Sequence, residues 1–287
     1  MKRTRIMGIC VVAALAAFAL SAMAASSASA GTYKVCVAQK KGEYTTSTCG
    51  TKSAKPKKGK FELASLATCV AQKKGEYTTN TCSTKSAKPK KGKFEKATKL
   101  GLKSSTKEAA LETPSLGGTV KCSASTGVGM LTGPTTGTLQ VTFTGCETKG
   151  VPCESGATIG TIETLPLETK LIDHGEKGLG GKGEPLAGEV WTDIKGTAAD
   201  GGVQAIFGCE GVGYFRSTGT LAGVDGGVNK LSFTGTQNFE NGIGEQGLLT
   251  EVSSSPAFNP AETIGPFAST EITKGTVTFE KEVDVAS

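Results

Sequence analysis

The chain contains one histidine, His174, and none of its nine cysteines forms a Cys-x-x-Cys pair. Structural zinc sites are built from such ligands, so a metal is not expected. His174 is the only side chain that could act as an imidazole base for a Ser or Cys nucleophile, and no Gly-x-Ser-x-Gly motif occurs. We therefore predict that the protein is not an enzyme, with no catalytic residue, no metal and no cofactor.

Long apolar runs are also missing after the first thirty residues. In residues 1–30, three basic residues precede an apolar run over 9–20 that is followed by small residues, which is typical of a secretory signal peptide. Cleavage after Ala24 or after Ala30 fits the small-x-small rule, and we favour Ala30. The run is shorter than the ~20 residues that span a bilayer. The sequence thus predicts a secreted protein, extracellular or at the cell surface, without a membrane span.

A tandem duplication follows the signal peptide. Residues 36–62 return at 69–95, and 25 of the 27 positions are identical. Two adjacent copies of a small module multiply binding valency, which a catalytic centre rarely requires. In each copy we predict three short strands, which in the first lie at 33–37, 43–46 and 60–62, with lysine-rich turns between them.

Eight cysteines remain after removal of the signal peptide, and an even number in an exported chain predicts disulfides. Within each repeat the two cysteines are 13 residues apart, and a bond there would stabilise a module that has little apolar surface to bury. Eight cysteines allow many connectivities, so the pairing is a preference. The preferred pairs are Cys36 with Cys49, Cys69 with Cys82, Cys122 with Cys209 and Cys146 with Cys153.

Charge is divided unevenly along the chain. Residues 31–103 carry a net charge of +14, whereas residues 104–287 carry −11. This polarity favours a basic region that binds polyanions, or else two regions that attract one another within or between molecules.

The lysine-rich turns are the candidate binding surface for an anionic polymer. Nucleic acid is not the expected polymer, because the chain is exported and the repeats contain no arginine. A solvated surface that prevents strand-to-strand aggregation is the alternative interpretation. The candidate residues are Lys40, Lys41, Lys55, Lys57, Lys58 and Lys60 in the first repeat, and Lys73, Lys74, Lys88, Lys90, Lys91 and Lys93 in the second.

The larger part of the chain has short alternating runs separated by turn signals, which predicts an all-β protein: a β-sandwich or barrel-like C-terminal domain preceded by two small disulfide-pinned β modules. In the run 139–144, Leu139, Val141 and Phe143 share one face. Trp191 is interpreted as a core aromatic rather than a sugar-stacking platform. The predicted organisation is a signal peptide (1–30), basic cysteine repeats (31–62 and 63–96), a linker (97–107) and an acidic all-β domain (108–287).

Several motifs of the acidic domain resemble a group of uncharacterised secreted proteins of soil actinobacteria. These motifs are Lys121–Thr126, Thr132–Pro134, Leu139–Glu147 and Phe207–Cys209. The repeat is similar to a short basic cysteine module that often precedes such a domain. The resemblance implies export and the division into domains, and it implies no activity, ligand or site residue.

Three hypotheses about function follow. The first is a non-catalytic binding protein of the cell envelope or extracellular space, whose duplicated modules hold an anionic wall or extracellular polymer. The second is a structural surface protein that self-associates through contacts between the basic region and the acidic domain, and therefore loses its association as salt rises. The third is a secreted hydrolase, which would require a cleft with two carboxylates.

Overall fold

The computed structural model describes residues 32–55, 57–65, 69–78, 86–88, 91–96, 100–173, 190–226, 232–239 and 247–286. The predicted signal peptide and His174 lie outside these ranges. Within them the only helices are two 3-10 turns, at Pro114–Leu116 and Ala198–Asp200. Neither is long enough to cross a membrane. All other regular elements are strands.

Four strands come from the repeats: β1 (Thr32–Gly42), β2 (Gly59–Ser65), β3 (Cys69–Gly75) and β4 (Gly92–Lys96). The first part of the remaining chain forms β5 (Leu100–Thr113), β6 (Gly118–Cys122), β7 (Ala124–Leu131), β8 (Thr136–Thr144), β9 (Glu147–Thr148), β10 (Val151–Glu154), β11 (Thr161–Glu163) and β12 (Leu167–Asp173). The last part forms β13 (Val190–Gly196), β14 (Val203–Cys209), β15 (Gly213–Gly226), β16 (Ser232–Phe239), β17 (Gly247–Ser253) and β18 (Thr263–Ala286).

All strands from β5 onward except β11 pair antiparallel in two closed circuits. One runs β5-β7-β8-β12-β13-β15-β16-β18 and returns to β5. The other runs β5-β6-β9-β10-β14-β15-β17-β18 and returns to β5. The long strands β5, β15 and β18 belong to both. The all-β prediction is confirmed, and closure of a sheet removes most of the edge strands that invite aggregation.

Alternation of apolar and polar residues explains these strands. In β8, Gly137 and Leu139 are buried while Thr138 and Gln140 are exposed. The inward residues of neighbouring strands form an apolar cluster at the middle of the first circuit: Leu139, Leu167, Ile194, Leu221 and Phe239. Trp191 in β13 is 2% exposed, which confirms that it is a core aromatic.

The predicted linker is wrong over residues 100–107, which lie in β5. The apolar periodicity is weak there because Ser104 and Thr106 take inward-facing positions that apolar residues usually hold. The Asp-Gly-Gly sequence at residues 225–227 resembles a turn, but β15 continues through Gly226. The turn before β14 is present, and Gly201 and Gly202 have φ of 64° and 78°, which glycine adopts without steric cost.

Two of the four preferred disulfides are wrong. Cys122 bonds to Cys146 with a Cα separation of 3.9 Å, and Cys153 bonds to Cys209 with a Cα separation of 4.2 Å. The backbones of Cys146 and Cys153 do meet across the β9–β10 hairpin, where Cys153 N donates to Cys146 O at 2.9 Å. However, Cys153 also lies directly opposite Cys209 on β14. A cysteine on a strand in the middle of a sheet has a neighbouring strand on each side. The cysteine that is nearer in the sequence is therefore not always its disulfide partner.

Candidate functional site

The first repeat is folded around one disulfide and one tyrosine. Cys36 and Cys49 are bonded with a Cα separation of 5.7 Å, which confirms the predicted pair. The backbone of Tyr44 accepts a hydrogen bond from Lys60 N and donates one to Phe61 O, both at 2.8 Å. The strand expected at 43–46 is therefore reduced to isolated bridges at Tyr44. Gly59 permits this approach, because a Cβ there would lie 2.3 Å from Tyr44 O.

Five of the predicted binding lysines of this repeat are exposed, and together they are here called the lysine face. It consists of Lys41 in β1, Lys55, Lys57 and Lys58 before β2, and Lys60 in β2. Among the described residues, ion pairs join only Lys195 to Glu168 and Arg216 to Glu251, so no carboxylate engages the lysine face. An anionic ligand could bind there without displacing an internal partner. Lys40 is in β1, but its side chain lies outside the described part.

The second repeat pairs in the same register as the first. Ala71 lies opposite Phe94 and Gly75 opposite Gly92, and each of these positions is 33 residues beyond its counterpart in β1 and β2. Lys88 and Lys91 are exposed. The other predicted binding lysines of this copy, Lys73, Lys74, Lys90 and Lys93, have side chains outside the described residues, as does the predicted bond between Cys69 and Cys82.

The first repeat is attached to the main sheet by β1. Residues Thr32 to Val35 pair with the end of β18, and Tyr33 N donates to Pro134 O at 2.6 Å. Tyr33 and Val35 are 5% and 8% exposed and pack with Val283 in an apolar cluster. β1 thus contributes Lys41 to the lysine face near one end, while its other end is packed in the protein core.

A buried polar cluster lies beneath Tyr33. Thr192 Oγ1 donates to Asp225 Oδ2 at 2.7 Å, and Gln237 Nε2 donates to Asp225 Oδ1 at 3.0 Å. Burial raises the pKa of Asp225 to about 7, although these two hydrogen bonds favour the ionised form. Burial, and then the charge of Asp225, raise the pKa of Tyr33 above its ordinary value, while a hydrogen bond with Thr192 opposes this shift.

Replacing Tyr33 by phenylalanine is expected to reduce the free energy of unfolding by about 1 kcal/mol, because the hydrogen bond with Thr192 is lost while the ring stays buried. The measurement is the urea concentration at the midpoint of unfolding. A shift in this midpoint reports a change in stability when the m-value, the dependence of the unfolding free energy on urea, is the same in both chains. Tyr214→Phe is the matched control, because no hydrogen bond joins that hydroxyl to a described residue. Equal midpoints for the two variants would show that the Tyr33 hydroxyl is not held in the cluster.

The interior also contains two cavities that sequence reasoning missed. The smaller is about 30 Å³ and is lined by the polar cluster. The larger of the two is about 110 Å³ and has Glu271 among its lining residues. Burial raises the pKa of the Glu271 carboxyl to about 7. Asp225 was missed because the Asp-Gly-Gly sequence resembles a turn, and Glu271 because nothing in a single sequence separates an inward glutamate from an exposed one.

Two other sources of evidence about function are possible metal sites and similarity to known proteins. The described residues contain no group of three or more His, Cys, Asp or Glu side chains that could hold a metal ion. Comparison with protein-family models, with curated proteins and with solved structures gives no match.

Proposed function

We propose that the protein is a non-catalytic binding protein that acts outside the cell and holds an anionic polymer on the lysine face. The observation that carries this proposal is the set of five exposed lysines without a carboxylate partner among the described residues. Cations that are exposed and unpaired keep their full charge available to a ligand.

Two further observations support the proposal. The three disulfides among the described residues are typical of proteins that reside in an oxidising compartment, where wall polymers and acidic polysaccharides are found. The same pairing register in the second repeat places its Lys88 and Lys91 at positions equivalent to Lys55 and Lys58. Two linked copies raise the overall affinity for a polymer, because the second contact becomes intramolecular.

Replacing Lys41, Lys55 and Lys58 by glutamine is expected to weaken binding to immobilised polygalacturonate about 100-fold at low salt, if each lysine contributes about 1 kcal/mol as at an anionic lipid surface. The affinity is measured by biolayer interferometry at about 50 mM salt, where screening is weak. A chain with Lys103, Lys121 and Lys170 replaced by glutamine loses the same charge from exposed positions in the rest of the sheet.

The control chain should retain affinity within about threefold, since only long-range attraction changes. Equal losses in the two chains would mean that net charge, rather than the lysine face, determines binding. Association of the protein in the absence of polymer, lost as salt rises, would instead favour self-assembly between the basic repeats and the acidic part of the chain.

A further inference from the structure

Four cysteines lie side by side across neighbouring strands of the main sheet. Cys153 on β10 is directly opposite Cys209 on β14. The β9–β10 register, continued by one residue, places Cys146 opposite Cys153, and the β6–β9 register, continued in the same way, places Cys122 opposite Cys146. Side chains that are directly opposite in antiparallel strands point to the same side of the sheet. We call this set the cysteine row, in the order Cys122, Cys146, Cys153 and Cys209.

The two disulfides occupy the ends of the cysteine row, and its middle pair is not bonded. Cys122 is bonded to Cys146, and Cys153 is bonded to Cys209. The backbones of the middle pair are in contact, because Cys153 N donates to Cys146 O at 2.9 Å. Directly opposite residues have Cα atoms about 4.5 to 5.5 Å apart, a range in which disulfides form. A bond between Cys146 and Cys153 therefore fits this backbone.

One end of the cysteine row is closest to solvent. Cys122 is 9% exposed and lines a groove of about 930 Å³, whose lining includes the exposed residues Lys107 and Lys121. The other three cysteines are more deeply buried, at 0 to 3% exposure. Attack by a thiol on a disulfide depends on access to the sulfur that is attacked. A small thiol therefore reaches the bond at Cys122 first.

We propose that the cysteine row transfers a disulfide inward when a small thiol opens its outer bond. The thiolate of a reductant such as glutathione bonds to Cys122 Sγ, and the Cys122–Cys146 bond breaks to leave a thiolate on Cys146. The Cys146 thiolate then bonds to Cys153 Sγ, and the Cys153–Cys209 bond breaks. The electron pair ends on the Cys209 thiolate, and the number of disulfides is unchanged.

This transfer has a structural consequence. Before it, a disulfide joins β10 to β14, whereas afterwards Cys153 is bonded within its own hairpin and β14 is held by hydrogen bonds and packing alone. The link between these two strands thus responds to a thiol that never reaches it directly. The cysteine row belongs to the main sheet and requires no anionic ligand, so this proposal and the one for the lysine face fail independently.

The first test uses the wild-type chain and an equimolar amount of reduced glutathione at about pH 8, where thiols are partly ionised. After an acid quench, free thiols are alkylated and the peptides are mapped. Trypsin alone leaves Cys122 and Cys146 in one peptide, so chymotrypsin is added to separate them. Molecules with glutathione on Cys122 should contain Cys146 joined to Cys153 and an alkylated Cys209.

Two results of this test would overturn the proposal. In the first, glutathione is found on Cys122, but Cys146 is alkylated and the Cys153–Cys209 bond is intact. In the second, glutathione leaves the Cys122–Cys146 bond unopened in the folded chain, or opens the Cys153–Cys209 bond before it. The wild-type measurement requires no variant to fold.

Two matched variants remove the same disulfide without a reductant. Cys122→Ser leaves a thiol on Cys146, beside Cys153, and should place the free thiol on Cys209 in at least about a tenth of the molecules, since two bonds that both fit the backbone should differ by less than about tenfold. Cys146→Ser leaves the thiol on Cys122, which is not adjacent to Cys153, and alkylation should stay there. Alkylation of Cys146 alone in the first variant, or equal alkylation of Cys209 in both, would contradict transfer along the row.

Discussion

Replacing both Cys153 and Cys209 by alanine is expected to lower the free energy of unfolding by about 4 kcal/mol. The bond closes a segment of 56 residues, and the loop-entropy relation gives this magnitude for a ring of that size. Both cysteines are buried, at 0% and 3% exposure, in a cluster with Cys122, Cys146 and Phe207. The loss is measured by urea denaturation under non-reducing conditions.

Single variants provide the control for the pairing. If Cys153 and Cys209 are partners, Cys153→Ala alone already breaks the bond, and the double variant costs little more. If each were bonded to a different cysteine, the double variant would break two bonds and lose about twice as much as either single variant. Mapping of disulfide-linked peptides should also recover Cys153 joined to Cys209.

The Glu271→Gln variant is expected to be more stable than the wild type at about pH 8, by on the order of 3 kcal/mol. Burial raises the pKa of Glu271 from 4.5 in the unfolded chain to about 7, so the folded state favours the protonated carboxyl. The stability contributed by that proton is fully present below pH 4.5 and is lost as pH rises through 7. Glutamine stays neutral throughout and avoids the loss.

The measurement is thermal or urea unfolding of the wild type and the variant from about pH 4 to about pH 8. The two curves should coincide at the acidic end and separate between pH 4.5 and pH 7. Glu262→Gln, at an exposed position, should follow the wild type at every pH. A variant that is less stable than the wild type at pH 8, or offset by the same amount at every pH, would show that Glu271 does not carry a buried charge.

Local patterns predicted the fold class because the exposed and buried sides of these strands differ in polarity. In β8 the alternation around Leu139 is visible in the sequence and gives the correct face. The pattern fails in β5, where Ser104 and Thr106 face the interior cavity. A strand that lines a cavity with polar residues resembles a linker when it is considered alone.

Pairings between distant strands could not be predicted. Cys36 and Cys49 are 13 residues apart, and a bond within one small module was the simplest choice. Cys153 has cross-strand neighbours on both sides, and only the strand order β9-β10-β14 reveals them. The cluster of Tyr33, Thr192, Asp225 and Gln237 depends in the same way on contacts between β1, β13, β15 and β16, which no local pattern encodes.

The lysines illustrate the opposite case. Their clustering and the absence of arginine were visible in the sequence. The structure adds that seven of them, the five of the lysine face together with Lys88 and Lys91, are exposed and without a carboxylate partner among the described residues. The structure also shows that β1, which contains Lys41, pairs with β18 of the main sheet. Binding of an anionic polymer by the lysine face is the proposal to test first.

Co-sedimentation of a chain comprising residues 31–287 with purified cell-wall sacculi, over a salt series from about 50 mM to about 500 mM, tests that proposal most directly. We predict that the protein sediments with the sacculi at low salt and is released as salt rises, because the contact is electrostatic and exposed. The Lys41, Lys55 and Lys58 triple variant should remain in the supernatant at every salt concentration. Wild-type protein that does not sediment at low salt, or that stays bound equally well at high salt, would contradict a polymer-binding role for the lysine face.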